Sequence, residues 1–396
     1  MVNFQYYTPT KVIFGADTAA QVGQLVREQG GTKVLLHFGS NSAKASGLLD
    51  RVTASLDQAG IGWVALGGVV PNPRLSKVYE GIELCRKEGV DFLLAVGGGS
   101  VIDSCKAIGY GLNYDGDVWQ LYDRKGTPTG CTPIGCVLTI AAAGSEMSNS
   151  SVITKEEGWL KRSVNNDLAR PRFAVLDPQL TFTLPPYQTA SGCVDILSHT
   201  MERYFSGPEV VEPTDSMAEG LLRTVIAMAP RALENPTDLE ARSAIMWAGS
   251  LSHNGLTGCG RGNGGRAGDF ACHALEHELS GMFDVTHGAG LAAVFGAWAR
   301  YVMPTAPSRF ARFARNVMGV TPEGDDTQVA LAGIEAFETF LRSIGMPTNI
   351  RELGITLDDE TIDRLAWLCT FEGGRTVGAF RVLELEDIKA VYHMAK

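Results

Sequence analysis

The feature that most constrains this chain is a six-residue apolar run, Asp91–Val96, that passes directly into Gly97-Gly98-Gly99-Ser100 and then into a helical pattern. A strand that ends in glycines and reopens as a helix is the opening of a βαβ unit. The same rhythm surrounds it. Lys33–Phe38 reads as a buried strand, Leu48–Ala59 as a helix, Gly62–Leu66 as a strand and Lys77–Gly89 as a helix. Thr132–Thr139 and Arg172–Leu176 add two more strands. Strands joined by connections long enough for helices imply a parallel sheet with right-handed crossovers.

After Leu184-Pro185-Pro186 the period changes from two to 3.6. Helical spacing covers 190–204, 216–233, 239–257, 267–281, 286–303, 307–319, 326–344, 358–368 and 385–394. The expected architecture is therefore an α/β, Rossmann-like parallel-sheet domain over 1–186 and an all-α domain over 187–396. A chain of 396 residues favours two domains and buries a core without staples.

Charge and cysteines exclude several partners. Forty-four acidic against 34 basic residues give a net charge of −10, which speaks against nucleic acid. The eight cysteines show no CxxC spacing and read as reduced thiols, so a cytoplasmic protein is expected. The start lacks a signal-peptide pattern, and no apolar run reaches the length of a membrane span.

The glycine turn suits a phosphate. Gly97, Gly98 and Gly99 let backbone approach closely, the N–H groups of the new helix face the anion, and Ser100 adds a hydroxyl. On its own such a turn is as often only a tight turn. At the end of the 33–38 strand, Gly39 and Ser40 stand where a carboxylate would bind a ribose 2′-hydroxyl, and Lys44 follows. That pattern leans towards NADP over NAD.

Seven histidines occur, and three of them, His273, His277 and His287, fall within fifteen residues. His199 follows Asp195 by four positions, and His277 follows His273 by four. On a helix, i and i+4 share one face, so each pair can point at one ion. One Asp with several His is a donor set for a divalent first-row metal and suits Fe(II) and Zn(II), and also Co(II), Ni(II) or Mn(II). Without cysteine among the donors, a closed structural zinc site is disfavoured. His37, His253 and His393 join no constellation.

Together, GGGSVID, DPQLTFTLPP, VDILSHTME and HALEHELSGMFDVTHGAGLA resemble the iron-containing (group III) alcohol dehydrogenases, over essentially the whole chain. The likeness is strongest to the bacterial aldehyde reductases and butanol dehydrogenases. The resemblance implies a dehydroquinate synthase-like architecture, a homodimer, and hydride transfer between NAD(P)(H) and a small alcohol or aldehyde. It implies metal ligands at Asp195, His199, His273 and His287, for Fe(II) first and Zn(II) second, with His277 near metal and nicotinamide. It implies dinucleotide contacts from Gly97, Gly98, Gly99, Ser100 and Asp103, from Asn72 in Pro71-Asn72-Pro73, from Thr139 and Ser148, and from Lys161. Trp119, Asn149 and Phe270 are candidates for the substrate pocket. The rival readings are polyol oxidation of the glycerol dehydrogenase kind and a lyase of the dehydroquinate synthase kind.

Overall fold

A computed structural model describes residues 1–39, 42–261, 268–320 and 323–396. The chain forms two compact units, one of Tyr7–Thr183 and one of Leu184–Lys396 with Met1–Tyr6.

The first unit holds eight strands: β1 (Lys11–Phe14), β2 (Lys33–Phe38), β3 (Gly62–Leu66), β4 (Phe92–Gly97), β5 (Ile134–Leu138), β6 (Ser150–Lys155), β7 (Leu160–Asn165) and β8 (Phe173–Leu176). Its helices are α1 (Val22–Glu28), α2 (Ser42–Ala45), α3 (Leu48–Gln58), α4 (Leu75–Glu88), α5 (Gly99–Gly111) and α6 (Trp119–Tyr122). Six strands form one parallel sheet in the order β1-β8-β5-β4-β2-β3. The middle strands are buried along their length, β4 at every residue, as expected of a parallel sheet covered on both faces. Val34, Leu36, Phe92, Leu94 and Val96 pack with Val22, Val26, Val52 and Leu56 of α1 and α3. Each such fully buried side chain contributes about 1.5–3 kcal/mol.

The order turns back at β2, whose neighbours are β3 on one side and β4 on the other. Ligands of open α/β sheets bind outside the carboxyl ends of strands at such a switch point. Gly39 follows β2, Gly97 ends β4 with Gly98 and Gly99 leading into α5, and Thr139 follows β5, so three of the expected dinucleotide segments meet there.

In this unit the β6–β7 pair departs from the sequence expectation. β6 and β7 pair antiparallel as a separate two-stranded hairpin, turning at Glu156–Trp159 with Gly158 at φ 81°. Their polar and charged residues hide the two-residue period.

The second unit is helical: α7 (Pro186–Tyr204), α8 (Glu212–Glu234), α9 (Leu239–His253), α10 (Ala271–Phe283), α11 (His287–Val302), α12 (Pro307–Asn316), α13 (Asp326–Ser343), α14 (Asp359–Cys369) and α15 (Leu385–Ala395). α9 stops four residues earlier than its periodicity suggests, because Gly255 takes φ 95° and diverts the chain. α10 starts at Ala271, after Phe270 in the left-handed region at φ 54°; the expected start at residue 267 lies outside the described residues. Among the described residues, no helix is long and apolar enough to cross a membrane.

Candidate metal centre and dinucleotide site

The expected metal ligands come from three helices of the second unit. Asp195 and His199 lie one turn apart on α7, both almost fully buried. His273 is the third residue of α10, and His287 opens α11. Two backbone features bring them together. Asp284 at φ 52° ends α10 and turns the chain towards α11. Gly288 then lets α11 press on α7: a Cβ there would lie 1.9 Å from the carbonyl oxygen of Ser191.

His273 Nε2 lies 3.6 Å from Asp195 Oδ1, and His287 Nε2 lies 3.7 Å from the same oxygen. One donor atom from each of the three lies within 4.8 Å of the others. Asp195 Oδ1 and His273 Nε2 are buried and make no hydrogen bond. His199 adjoins this trio. Its Nδ1 donates to the Asp195 carbonyl at 3.1 Å and lies 3.0 Å from Asp195 Oδ1, and its ring centroid is 4.3 Å from that of His273. His277, one turn beyond His273, has its ring 5.8 Å from His287 and 6.4 Å from His273.

The electrostatics suit a cation. Burial alone would raise the Asp195 carboxyl, but the His199 and His287 imidazoles reverse this and hold it well below its ordinary value. Burial pushes His199 down to about 4. For His273 burial also acts downwards, yet Glu202 and Asp195 outweigh it and lift the ring to about 9. A buried anionic oxygen beside His273 Nε2, which makes no hydrogen bond, and 3.7 Å from His287 Nε2 matches a divalent metal, and an Asp/His donor set of this kind takes Fe(II) or Zn(II).

Three residues here carry no mark in the sequence reading. Glu202 accepts from His273, both at its backbone N–H, 3.2 Å away, and at its Nδ1. Glu276 accepts from His287 Nδ1. Both carboxylates are buried, and their spacing was visible: Glu202 is seven residues after Asp195, and Glu276 three after His273. His253 of α9 has its ring 3.9 Å from that of His199, with a buried Nδ1 that makes no hydrogen bond. No spacing links it to the cluster. Phe270 stands among them, its ring 5.6 Å from His273 and under the Arg203 guanidinium.

In the first unit the glycine turn closes tightly. Gly97 accepts from the Thr139 N–H at 3.1 Å, and a Cβ on Gly98 would lie 2.1 Å from Ile140 Cγ2. Asn72 takes the left-handed conformation, φ 53°, that Asn tolerates better than most residues. Lys161 is a buried residue of β7. Ser40 lies outside the described residues.

Asp103 and Ser148 make protein contacts. Asp103 accepts from Ser145 Oγ at 2.5 Å and from the Val152 N–H at 3.0 Å. Ser148, through its carbonyl at 3.0 Å and hydroxyl at 3.3 Å, receives the ammonium of Lys106. That ammonium also reaches the Ser145 carbonyl and hydroxyl and the Ser150 carbonyl, at 2.7–2.8 Å. Lys106 is fully buried, and this cage of oxygens replaces its water while tying residues 145–150 to α5. Trp119 and Asn149, the other pocket candidates, stack on Tyr122 and bond Asp167.

The fold and this donor cluster define a class that comparison makes explicit. Residues 9–178 match the iron-containing alcohol dehydrogenase model, and residues 189–396 match the C-terminal model of the same family. The chain belongs to the iron-containing alcohol dehydrogenases. It is thus an enzyme of alcohol and aldehyde oxidoreduction that uses a nicotinamide dinucleotide and an iron-type metal site. It is 40% identical to NADH-dependent butanol dehydrogenase A of Clostridium acetobutylicum, over 99% of both chains. It is 34% identical to NADPH-dependent aldehyde reductase YqhD of Escherichia coli, over the full length of both. The crystal structure of NADH-dependent butanol dehydrogenase A from Thermotoga maritima superposes with a TM-score of 0.94, at 40% identity, covering 99% of this chain and 98% of that one.

Proposed function

We propose that this chain reduces short aldehydes to primary alcohols with NADPH, and runs the reverse oxidation, at a divalent cation held by Asp195, His199, His273 and His287. The observation that carries the reading is the pair of buried atoms without hydrogen bonds, Asp195 Oδ1 and His273 Nε2, converging with His287 Nε2. When bound, the cation polarises the substrate oxygen as a Lewis acid, and the nicotinamide gives or takes hydride.

The chain's own residues do the rest. Asp195 supplies the anionic donor, and the three imidazoles supply nitrogen donors. His277 exchanges a proton with the substrate oxygen through an imidazole nitrogen. The N–H groups that open α5 and the Ser100 hydroxyl bind the pyrophosphate, where glycine leaves room. Asn72, Thr139 and Lys161 complete the dinucleotide site.

Preference for the 2′-phosphate is supported by the 38–44 segment, which has no carboxylate. Names such as that of the Clostridium acetobutylicum relative favour NADH as the second reading. Fe(II) is proposed as the cation. A homodimer is proposed too, in keeping with the exposed Met1, Val2, Phe4 and Tyr7. The cytoplasm is the proposed compartment, in keeping with eight unpaired cysteines.

The test is steady-state absorbance at the nicotinamide band, with protein loaded anaerobically with Fe(II) or Zn(II). Butanal and glycerol are the substrates, and both dinucleotides are used. Butanal reduction faster with NADPH than with NADH is expected. A higher kcat/KM with NADH overturns the cofactor reading, and turnover of glycerol but not butanal overturns the substrate reading. Light scattering after size exclusion reads the dimer.

A further inference from the structure

We propose that Glu202 and Glu276 are positioning residues of the metal centre that link its three helices in series. Each carboxylate reaches from one ligand-bearing helix to a histidine on the next. The inference rests on the reading of Asp195, His273 and His287 as cation donors.

Glu202 rides on α7 with Asp195 and His199, and it grips His273 of α10. One oxygen takes the His273 backbone N–H at 3.2 Å and the other takes its Nδ1–H. The ring and the main chain beneath it are therefore fixed by one group. Glu276 rides on α10 beside His273, and it grips His287 at the start of α11. Its second oxygen accepts the Ser280 hydroxyl. The order is α7 to α10 to α11.

The chemistry follows from which nitrogen is held. A carboxylate is acceptor only, so it holds a proton on Nδ1 of each ring, and the ring's neutral form presents its lone pair on Nε2. Those Nε2 atoms lie 3.6 and 3.7 Å from Asp195 Oδ1. His199 reaches the same tautomer through the Asp195 carbonyl, which accepts from its Nδ1 at 3.1 Å. Every histidine of the expected ligand set thus has an oxygen on Nδ1. Two fully buried glutamates are costly residues to keep, and both are spent on the ring nitrogen facing away from the cation. Such partners set ring orientation and raise ligand basicity, and their loss typically costs 10–100-fold in metal affinity.

The experiment compares wild type with Glu202→Gln, Glu276→Gln and Asp195→Ala, each stripped by chelator and titrated with Zn(II) against a chromophoric competitor. Gln keeps the volume but offers one acceptor where Glu offers two. Both Gln variants are expected to bind Zn(II) about 10–100-fold more weakly, with metal-free melting temperatures close to wild type. Asp195→Ala is expected to bind still more weakly. Wild-type Zn(II) affinity in both Gln variants, with Asp195→Ala impaired, overturns this inference alone. Wild-type affinity in Asp195→Ala overturns the donor set and the inference with it. A second measurement needs no variant: Zn(II)-loaded wild-type protein carrying 15N-histidine should show His273 and His287 protonated at Nδ1. Protonation at Nε2 of either ring overturns the inference even if a Gln variant misfolds.

Discussion

Asp195 Oδ1 and His273 Nε2 face each other across 3.6 Å in the interior of the helical unit, and neither makes a hydrogen bond. Leaving a buried polar atom unsatisfied costs about 1–3 kcal/mol. Two such atoms side by side, with His287 Nε2 3.7 Å from the same carboxylate oxygen, form the arrangement that the proposed cation would satisfy. Asp195→Ala and His273→Ala should therefore lose the metal and, with it, Lewis-acid assistance worth several kcal/mol. That corresponds to a fall in kcat/KM of about a thousandfold or more. Metal analysis, steady-state kinetics and far-ultraviolet circular dichroism check this, the last expected to be unchanged. Full activity in metal-free protein would refute it.

His277 lies outside the Asp195–His273–His287 trio and groups instead with Glu276 and His287, one donor atom of each within 4.8 Å of the others. Its ring is 5.8 Å from His287 and 6.4 Å from His273, close enough to serve a molecule at the cation. His277→Ala should keep the metal and lower turnover by about 100-fold or more, the usual worth of a positioned proton donor. Added imidazole should restore part of the rate. Loss of metal in this variant, without rescue, would make His277 a support of the ligands.

That these histidines lie together was legible because their spacing follows the helix: Asp195 with His199 and His273 with His277 each repeat at one helical turn. The glutamates were not. Glu in a helix ordinarily faces water, so only the burial of Glu202 and Glu276 reveals what they hold. His253 was invisible for a different reason: it reaches His199 from α9, a contact no local pattern encodes. In the first unit the parallel strands announced themselves as apolar runs, whereas β6 and β7, rich in Ser, Thr and Lys, did not. Asp103 has a structural role that its motif does not announce. It belongs to the GGGSVID motif, yet its carboxylate anchors Ser145 and Val152.

The glycine turn yields a sharper test than its phosphate chemistry. Gly97 and Gly98 are packed from the rear, the first by Val101 and the second by Ile140, whose Cγ2 would lie 2.1 Å from a new Cβ. Gly98→Ala must displace Ile140 or the turn itself, an overpacking cost of about 1–3 kcal/mol. Displacement of the turn shifts the N–H groups that open α5. The dinucleotide Kd should rise by about tenfold or more, equivalent to 1.4 kcal/mol, while Zn(II) affinity is unchanged. Fluorescence titration with NADPH reads the first and competitor titration the second. An unchanged Kd would show that the turn does not contact the phosphates.

A buried histidine outside both sites gives the chain a pH-dependent stability. His37, on β2, is fully buried; its Nδ1 donates to the Leu66 carbonyl at 2.7 Å, and its Nε2 accepts from the Ser104 hydroxyl at 2.9 Å. The neutral ring satisfies both nitrogens, and burial, which penalises the charged form, pushes the imidazole from 6.5 down to about 4. The folded chain therefore binds fewer protons here than the unfolded chain between those values, so stability must fall as the medium is acidified. The contribution is fully present above pH 6.5 and is lost as pH drops from there to about 4. The difference of roughly 2.5 units corresponds to about 3 kcal/mol. Urea unfolding of the metal-free protein at pH 7.5 and pH 5 measures it, with His37→Gln beside wild type. Gln can still donate to Leu66 but does not titrate, so the variant should start less stable at pH 7.5 and lose less on acidification. Equal losses in the two proteins would assign the acid sensitivity to groups other than His37.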